Sequence, residues 1–277
     1  DLDLLPPALS QELKFISLED ALSYLHRPPV DASLNELEVG THPAQERLAF
    51  EELLTNYLCL RRLREAADKH AAPSLPEKGE LTKQMLNALP FELTNAQQRV
   101  SKEIARDMAK PTPMLRLVQG DVGSGKTLVA VLATLQAIEH GYQAAIMAPT
   151  EILAEQHFLN LEHLLQPLGL DVVFLSGKIK GKQRNIVLEA MLSGQAQLIV
   201  GTHALFQDEV SFAKLGLIVV DEQHRFGVQQ RLALREKGST PNSGSKGNSY
   251  PHQLIMTATP IPRTLTMSVY ADLDCSI

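Results

Sequence analysis

The sequence predicts an α/β fold: a parallel sheet with helices on both faces, preceded by an all-helical segment. Short apolar, β-branched runs recur at 115–118, 144–147, 172–175, 198–200, 217–220 and 254–256, which is the pattern of strands buried on both faces. Helix-length stretches separate most of them, at Ala96–Met108, Lys126–His140, Glu151–Leu165 and Gln183–Leu192, and such alternation belongs to parallel sheets. Residues 1–90 carry no comparable strand pattern and read as helical. The expected division is a helical connector over 1–90 and an α/β lobe over 91–277.

Taken in order, Ser17-Leu18-Glu19-Asp20 resembles a capping box opening a short helix, which Pro28-Pro29 stops after His26. Ser33-Leu34-Asn35-Glu36 repeats the signal, and that helix ends near Gly40. Pro43 suits a first helical turn, and Ala44 to about His70 contains neither Gly nor Pro. Leu48, Leu53, Leu54, Tyr57, Leu58 and Leu60 give that stretch an apolar stripe at helical spacing. Arg61, Arg62 and Arg64 crowd its later turns, as a phosphate patch or as a solvated face that complements the helix dipole. Ala72-Pro73-Ser74-Leu75-Pro76 reads as a connector, and 239–248, rich in Ser, Gly and Asn, as a surface loop with nothing to bury.

Composition narrows the class. The 277 residues are 44% apolar, which excludes wholesale disorder. No apolar run approaches the ~20 residues that cross a bilayer. Cys59 and Cys275 are too few for a disulfide framework or a zinc cluster. A cytoplasmic protein without a membrane partner is expected. The net charge of −6 taken alone speaks against nucleic acid as a partner. Its distribution does not: residues 1–90 hold 9 basic and 15 acidic side chains, whereas 91–277 hold 17 of each. The acidity belongs to the connector.

Gly120-Asp121-Val122-Gly123-Ser124-Gly125-Lys126-Thr127 fits G-x-x-x-x-G-K-[ST] between a predicted strand and a predicted helix, the arrangement of a P-loop NTPase. The glycines let backbone amides converge on phosphate oxygens at a helix N-terminus. Lys126 is expected to reach the β- and γ-phosphates and Thr127 to ligate Mg²⁺. Asp221-Glu222-Gln223-His224 follows the apolar run 217–220. A carboxylate at the end of a buried strand reaches the metal beside a P-loop, so Asp221 is expected at Mg²⁺ and Glu222 as the base for the attacking water. ATP and Mg²⁺ are the expected cofactors.

These residues carry a family resemblance. Asp-Glu-x-His after a P-loop resembles the second motif of superfamily 2 helicases, and Thr257-Ala258-Thr259-Pro260 their third. Ala148-Pro149-Thr150-Glu151 resembles motif Ia, and Gly201-Thr202-His203-Ala204 a later DNA-contacting motif. In detail, 91–97, 119–127, 221–228 and 257–264 are similar to the RecG family of bacterial ATP-dependent DNA helicases, which regress stalled forks. His26-Arg27-Pro28-Pro29 and 42–48 extend the likeness into the connector. The resemblance implies a RecA-like first lobe that binds ATP and works on branched DNA, forks and Holliday junctions, in recombination and repair. It places the chain in the bacterial cytoplasm at the nucleoid.

The resemblance also implies residue roles. Gln97 would recognise adenine with Phe91 nearby, although Thr94-Asn95-Ala96-Gln97 equally fits a capping box. His224, Thr257 and Thr259 would couple the γ-phosphate site to DNA. Pro149, Thr150, Gly201, Thr202 and His203 would meet DNA phosphates, a sequence-independent contact. Lys178 and Lys180, in a basic cluster with Lys182 and Arg184, form either a further phosphate patch or a solvated loop. Arg263 is left between DNA contact and bracing of its motif. Measured against the family, the later motifs of the second RecA-like lobe and the wedge domain are not in this sequence. The expectation is thus a central piece of a larger protein, inactive alone, because lack of an arginine finger costs ~10³–10⁵ in turnover. A transcription-repair coupling translocase motor and a non-catalytic DNA-binding scaffold are the alternatives.

Overall fold

A computed structural model describes residues 3, 5–67, 70–207, 209–221, 240–241, 248–258 and 274–276. The chain divides into two compact units, one extending to Leu63 and the other beginning at Arg64.

The first unit is helical, and its sequence signals act as caps. Helix α1 spans Pro7–Glu12, α2 Leu18–His26, α3 Leu34–Val39 and α4 Pro43–Ala67. The Ser17 hydroxyl accepts from the Asp20 amide at 3.0 Å and the Ser33 hydroxyl from the Glu36 amide at 3.4 Å, each satisfying an otherwise unpaired first-turn N–H. Gly40 closes α3 at φ 79°, a left-handed C-cap suited to glycine. Within this unit Arg47 is fully buried, paired with Asp3 at 2.6 Å and Glu51 at 2.8 Å. Its guanidinium also lies 5.6 Å from the Phe15 ring centroid. A buried charge needs such partners. The side chains of Arg61, Arg62 and Arg64 lie outside the description.

The second unit is a parallel seven-stranded sheet in the order β3-β4-β2-β5-β8-β1-β9. Its strands are β1 Leu115–Gln119, β2 Gln143–Met147, β3 Val172–Leu175, β4 Leu198–Gly201, β5 Leu215–Asp221, β8 His252–Thr257 and β9 Asp274–Ser276. Two short strands, β6 (240–241) and β7 (248–249), form a separate antiparallel pair inside the stretch expected to be loop. Helices α5 (Glu80–Ala88), α6 (Asn95–Met108), α7 (Lys126–Glu139), α8 (Glu151–Leu165) and α9 (Gly181–Ser193) complete the lobe. Alternate strand residues enter two apolar clusters: Ala144, Ile146, Leu217 and Val219 in one, Ala145, Met147, Ile218 and Val220 in the other. That period of two follows from the pleat, and burial on both faces explains why these strands read as continuous apolar runs.

The stretch before the first predicted lobe helix is part of this unit. Leu75 and Met85 belong to the larger apolar cluster. Residues 72–81 are bound along the lobe: the amides of Ala72 and Leu75 donate to Pro111 O and Met108 O at 2.9 and 2.8 Å. The Glu139 carboxylate accepts from the Gly79 and Leu81 amides at 3.0 and 2.5 Å. The expected connector therefore divides, its later part packing as lobe. Strand β9 beside β1 had no sequence signal; Arg116 meets it by donating to the Ser276 hydroxyl at 2.6 Å. Among the described residues no helix is long and apolar enough to cross a membrane.

Candidate nucleotide site

The P-loop and Asp221 stand where the parallel strands end. Residues 120–125 leave β1 and enter α7, with Gly123 at φ 82° and Gly125 at φ 81°. Those angles cost an L side chain strain that glycine avoids. A Cβ on Gly120 would stand 2.8 Å from Ser124 Oγ, and one on Gly125 would collide with Gln97 Nε2. At Gly125 the left-handed backbone and the close approach of Gln97 together favour glycine, whereas at Gly120 the Ser124 hydroxyl would have to turn aside. At the start of α7 the amides of Lys126 and Thr127 have no helical acceptor behind them, so they are free to bind an anion.

Lys126 Nζ donates to Gly120 O and Asp121 O, each at 2.7 Å, arching over its own loop. An ammonium has three protons, which leaves one for a further acceptor in this arrangement. Asp221 is the last residue of β5. Its register partner on β8 is Met256, which in turn pairs with Val118 on β1. Two strand spacings, about 10 Å, therefore separate Asp221 from the strand that feeds the P-loop. Thr257 O accepts from the Gly120 amide at 3.3 Å, so the third motif begins against the first.

Gln97 makes the cap that its sequence context allowed. Its Oε1 accepts from the Thr94 amide at 2.9 Å while Thr94 Oγ1 accepts from the Gln97 amide at 3.2 Å, a complete capping box. Its Nε2 donates to Ser124 O in the P-loop at 2.9 Å. The cap thus fastens α6 to the phosphate loop. Phe91 is 56% exposed just before it.

Further along the strand ends, Thr150 Oγ1 caps α8 by accepting from the Leu153 amide at 3.3 Å. The Ala148 amide, just before Pro149, donates to Gly201 O at 3.0 Å, bringing the two expected DNA-contacting turns together. A Cβ on Gly201 would collide with Leu175 O. His203 is exposed, whereas Thr202 is only 1% exposed and its hydroxyl has no hydrogen-bond partner among the described residues. In the basic cluster, Lys178 pairs with Glu151 at 2.6 Å and Arg184 Nε donates to Glu209 at 2.9 Å. Hydrogen bonding to Lys178 holds the Glu151 carboxyl below its usual range and raises the Lys178 ammonium above its own. Lys180 and Lys182 are exposed. Glu222, His224, Thr259 and Arg263 lie outside the described residues.

Sequence reasoning passed over His157. It lies on α8 with Nε2 at 2.9 Å from Asp221 Oδ2. Histidine inside an amphipathic helix carries no local signal of such a partner, 64 residues away.

Thr127 and Asp221 supply hard oxygen donors of the type Mg²⁺ prefers. Among the described residues no group of three or more His, Cys, Asp or Glu could hold a metal ion.

The chain is 58% identical over 261 residues to the ATP-dependent DNA helicase RecG of Pasteurella multocida, covering 94% of this chain and 37% of that protein. To RecG of Escherichia coli strain K12 it is 57% identical over 275 residues, covering 99% and 38%. The chain thus spans little more than a third of the length of these relatives. A solved structure described as RecG bound to a three-way DNA junction superposes with a TM-score of 0.79 at 38% identity, over 99% of this chain and 35% of that one. The helicase MrfA bound to DNA and AMPPNP shares the fold at TM-score 0.53 and 18% identity, over 75% of this chain and 30% of that one. The model described as DEAD/DEAH box helicase matches residues 94–268, from the cap of α6 through the P-loop and Asp221 past the third motif, and the chain belongs to that family.

Proposed function

We propose that the chain is the ATP-binding lobe of a RecG-type DNA helicase that remodels branched DNA, forks and Holliday junctions, in recombination and repair. One observation carries the reading: the P-loop with Lys126 and Thr127, and Asp221 on β5, stand at the same end of one parallel sheet. Both RecG relatives are described as ATP-dependent DNA helicases, and the RecG structure was solved with a three-way junction. Mg²⁺ bound with the nucleotide would neutralise phosphate charge and orient the transferred group.

The chain's own groups have separable tasks. Lys126, released from its loop carbonyls, neutralises the β- and γ-phosphates, and the amides at the start of α7 hold phosphate oxygens. Thr127 and Asp221 ligate the cation, and Glu222 takes the proton of the attacking water. Gln97 and Phe91 read the adenine. His224, Thr257 and Thr259 relay the γ-phosphate state to DNA. Pro149, Thr150, Lys178, Lys180, Gly201, Thr202 and His203 lie on the DNA side. In the full-length helicase a second RecA-like lobe supplies the arginine finger and a wedge domain grips the junction. A bacterial cytoplasmic location at the nucleoid accompanies this reading.

The experiment measures ATPase and unwinding by the full-length protein on fork, Holliday-junction, single-stranded and linear duplex DNA. Branched substrates are expected to stimulate most. Lys126→Ala is expected to abolish ATPase and unwinding while leaving fork binding largely intact. Equal stimulation by linear duplex would remove the branched-DNA assignment, and an unchanged Lys126→Ala would remove the enzyme.

A further inference from the structure

Asp221 is held from outside its own strand. Among the described residues, His157 is the side chain bonded to its carboxylate, with Nε2 at 2.9 Å from Oδ2. Both side chains are mostly buried, 15% and 16% exposed, so the contact is shielded from the solvent screening that weakens surface pairs. A carboxylate only accepts, so the His157 Nε2 must carry the proton of this bond. The two residues come from different elements. Asp221 ends β5 and His157 lies within α8, the helix that follows the neighbouring strand β2. A bond between them sets the carboxylate's rotation from outside its own strand. It engages one of the two carboxylate oxygens, Oδ2.

We propose that His157 is a positioning residue for the nucleotide-bound Mg²⁺: by holding Asp221 Oδ2 it orients the carboxylate and raises cation affinity without touching nucleotide itself. This rests on the nucleotide-site reading above and adds to it. Groups that hydrogen-bond a metal ligand from behind fix its orientation, and losing one costs about 10- to 100-fold in metal affinity. In the helicase the pair also links the end of β5 to the helix capped by Thr150, on the side expected to face DNA. Helix α8 is also capped by Thr150 and β5 is paired with both neighbouring strands, so the pair adds to bonds that already hold each element.

The test uses the full-length protein and a fluorescent ATP analogue, titrated over a series of free Mg²⁺ concentrations and in EDTA, with the melting temperature as a control. His157→Leu removes the donor and is expected to raise the Mg²⁺ concentration for half-maximal binding by about 10- to 100-fold, with binding in EDTA unchanged. His157→Gln keeps an N–H of similar reach and is expected to recover most of the loss. Should His157→Leu not fold, His157→Phe, a ring without the donor, is read in the same way. Weakening that is equal with and without Mg²⁺, or a folded donor-free variant with unaltered Mg²⁺ dependence, overturns the assignment. Asp221→Asn separates the two levels of inference. If it shifts the Mg²⁺ dependence and the donor-free variants do not, this inference alone fails. If the wild type binds nucleotide with no Mg²⁺ dependence at all, the cation assignment to Asp221 fails and this inference with it; if it binds no nucleotide, the nucleotide-site reading itself fails.

Discussion

Gly125 meets two demands at once, a left-handed backbone at φ 81° and the approach of Gln97 Nε2 to the face where a Cβ would stand. Gly125→Ala is therefore expected to strain the loop by about 1–3 kcal/mol and to push Gln97 off Ser124. A fluorescent-nucleotide titration should show affinity lowered at least as much as stability. His252 makes a different prediction. It is fully buried, accepting from the Met114 amide at 3.0 Å through Nδ1 and donating to Pro73 O at 2.8 Å through Nε2. Burial pushes its pKa below the ordinary imidazole range, against the opposing pull of the Pro73 carbonyl and Asp107. The unfolded chain then binds a proton that the folded lobe refuses, so this contribution is complete above the unfolded value near ~6.5 and is lost as pH falls below it. Melts from pH 7.5 to pH 5 are expected to show falling stability, with a flatter slope in His252→Leu. The same substitution lowers stability at pH 7.5 by about 1–3 kcal/mol, because Pro73 O and the Met114 amide lose their partner.

At the scale of elements, the strap over 72–81 is held by side chains of α7. The Glu139 carboxylate collects the amides of Gly79 and Leu81, while Gln136 Nε2 donates to Leu75 O at 2.5 Å. Glu139→Ala is expected to lower the unfolding free energy by about 1.5–3 kcal/mol, the range for hydrogen bonds to a charged group, as read by denaturant titration. The basic stretch that opens α9 is less available than its charge count implied. Lys178 and Arg184 already pair with Glu151 and Glu209, and the exposed Lys180 and Lys182 remain for phosphate. Salt titrations of DNA binding by the full-length protein should accordingly lose about 0.9 of slope in Lys180→Ala if it meets one phosphate. Arg184→Ala should leave that slope unchanged. Alternating apolar runs and capping signals made these elements legible, because periodicity is a local property. Ion pairing across 25 residues, as between Arg184 and Glu209, is not.

For the whole molecule, the division at Leu63 and Arg64 reassigns the later part of the acidic first third to the lobe. A lobe begun at residue 91 would lack Leu75 and Met85, both nearly inaccessible in the main cluster. Vacating such sites costs about 2–5 kcal/mol each, so that piece is expected to melt well below one begun at residue 64, as circular dichroism would show. The sequence by itself determined the strand and helix alternation, the P-loop between β1 and α7, and Asp221 at a strand end, since spacing and apolar period encode them locally. Gln97 shows its limit: the spacing to Thr94 announced the cap, but the bond from its amide to Ser124 O in the phosphate loop appears only in the fold. Only the tertiary structure decided the strand order, the place of β9 beside β1, the burial of the Thr202 hydroxyl and the bond from His157 to Asp221. Each depends on which distant strand or helix becomes a neighbour, and that is settled by packing the whole sheet, not by any stretch of chain read alone.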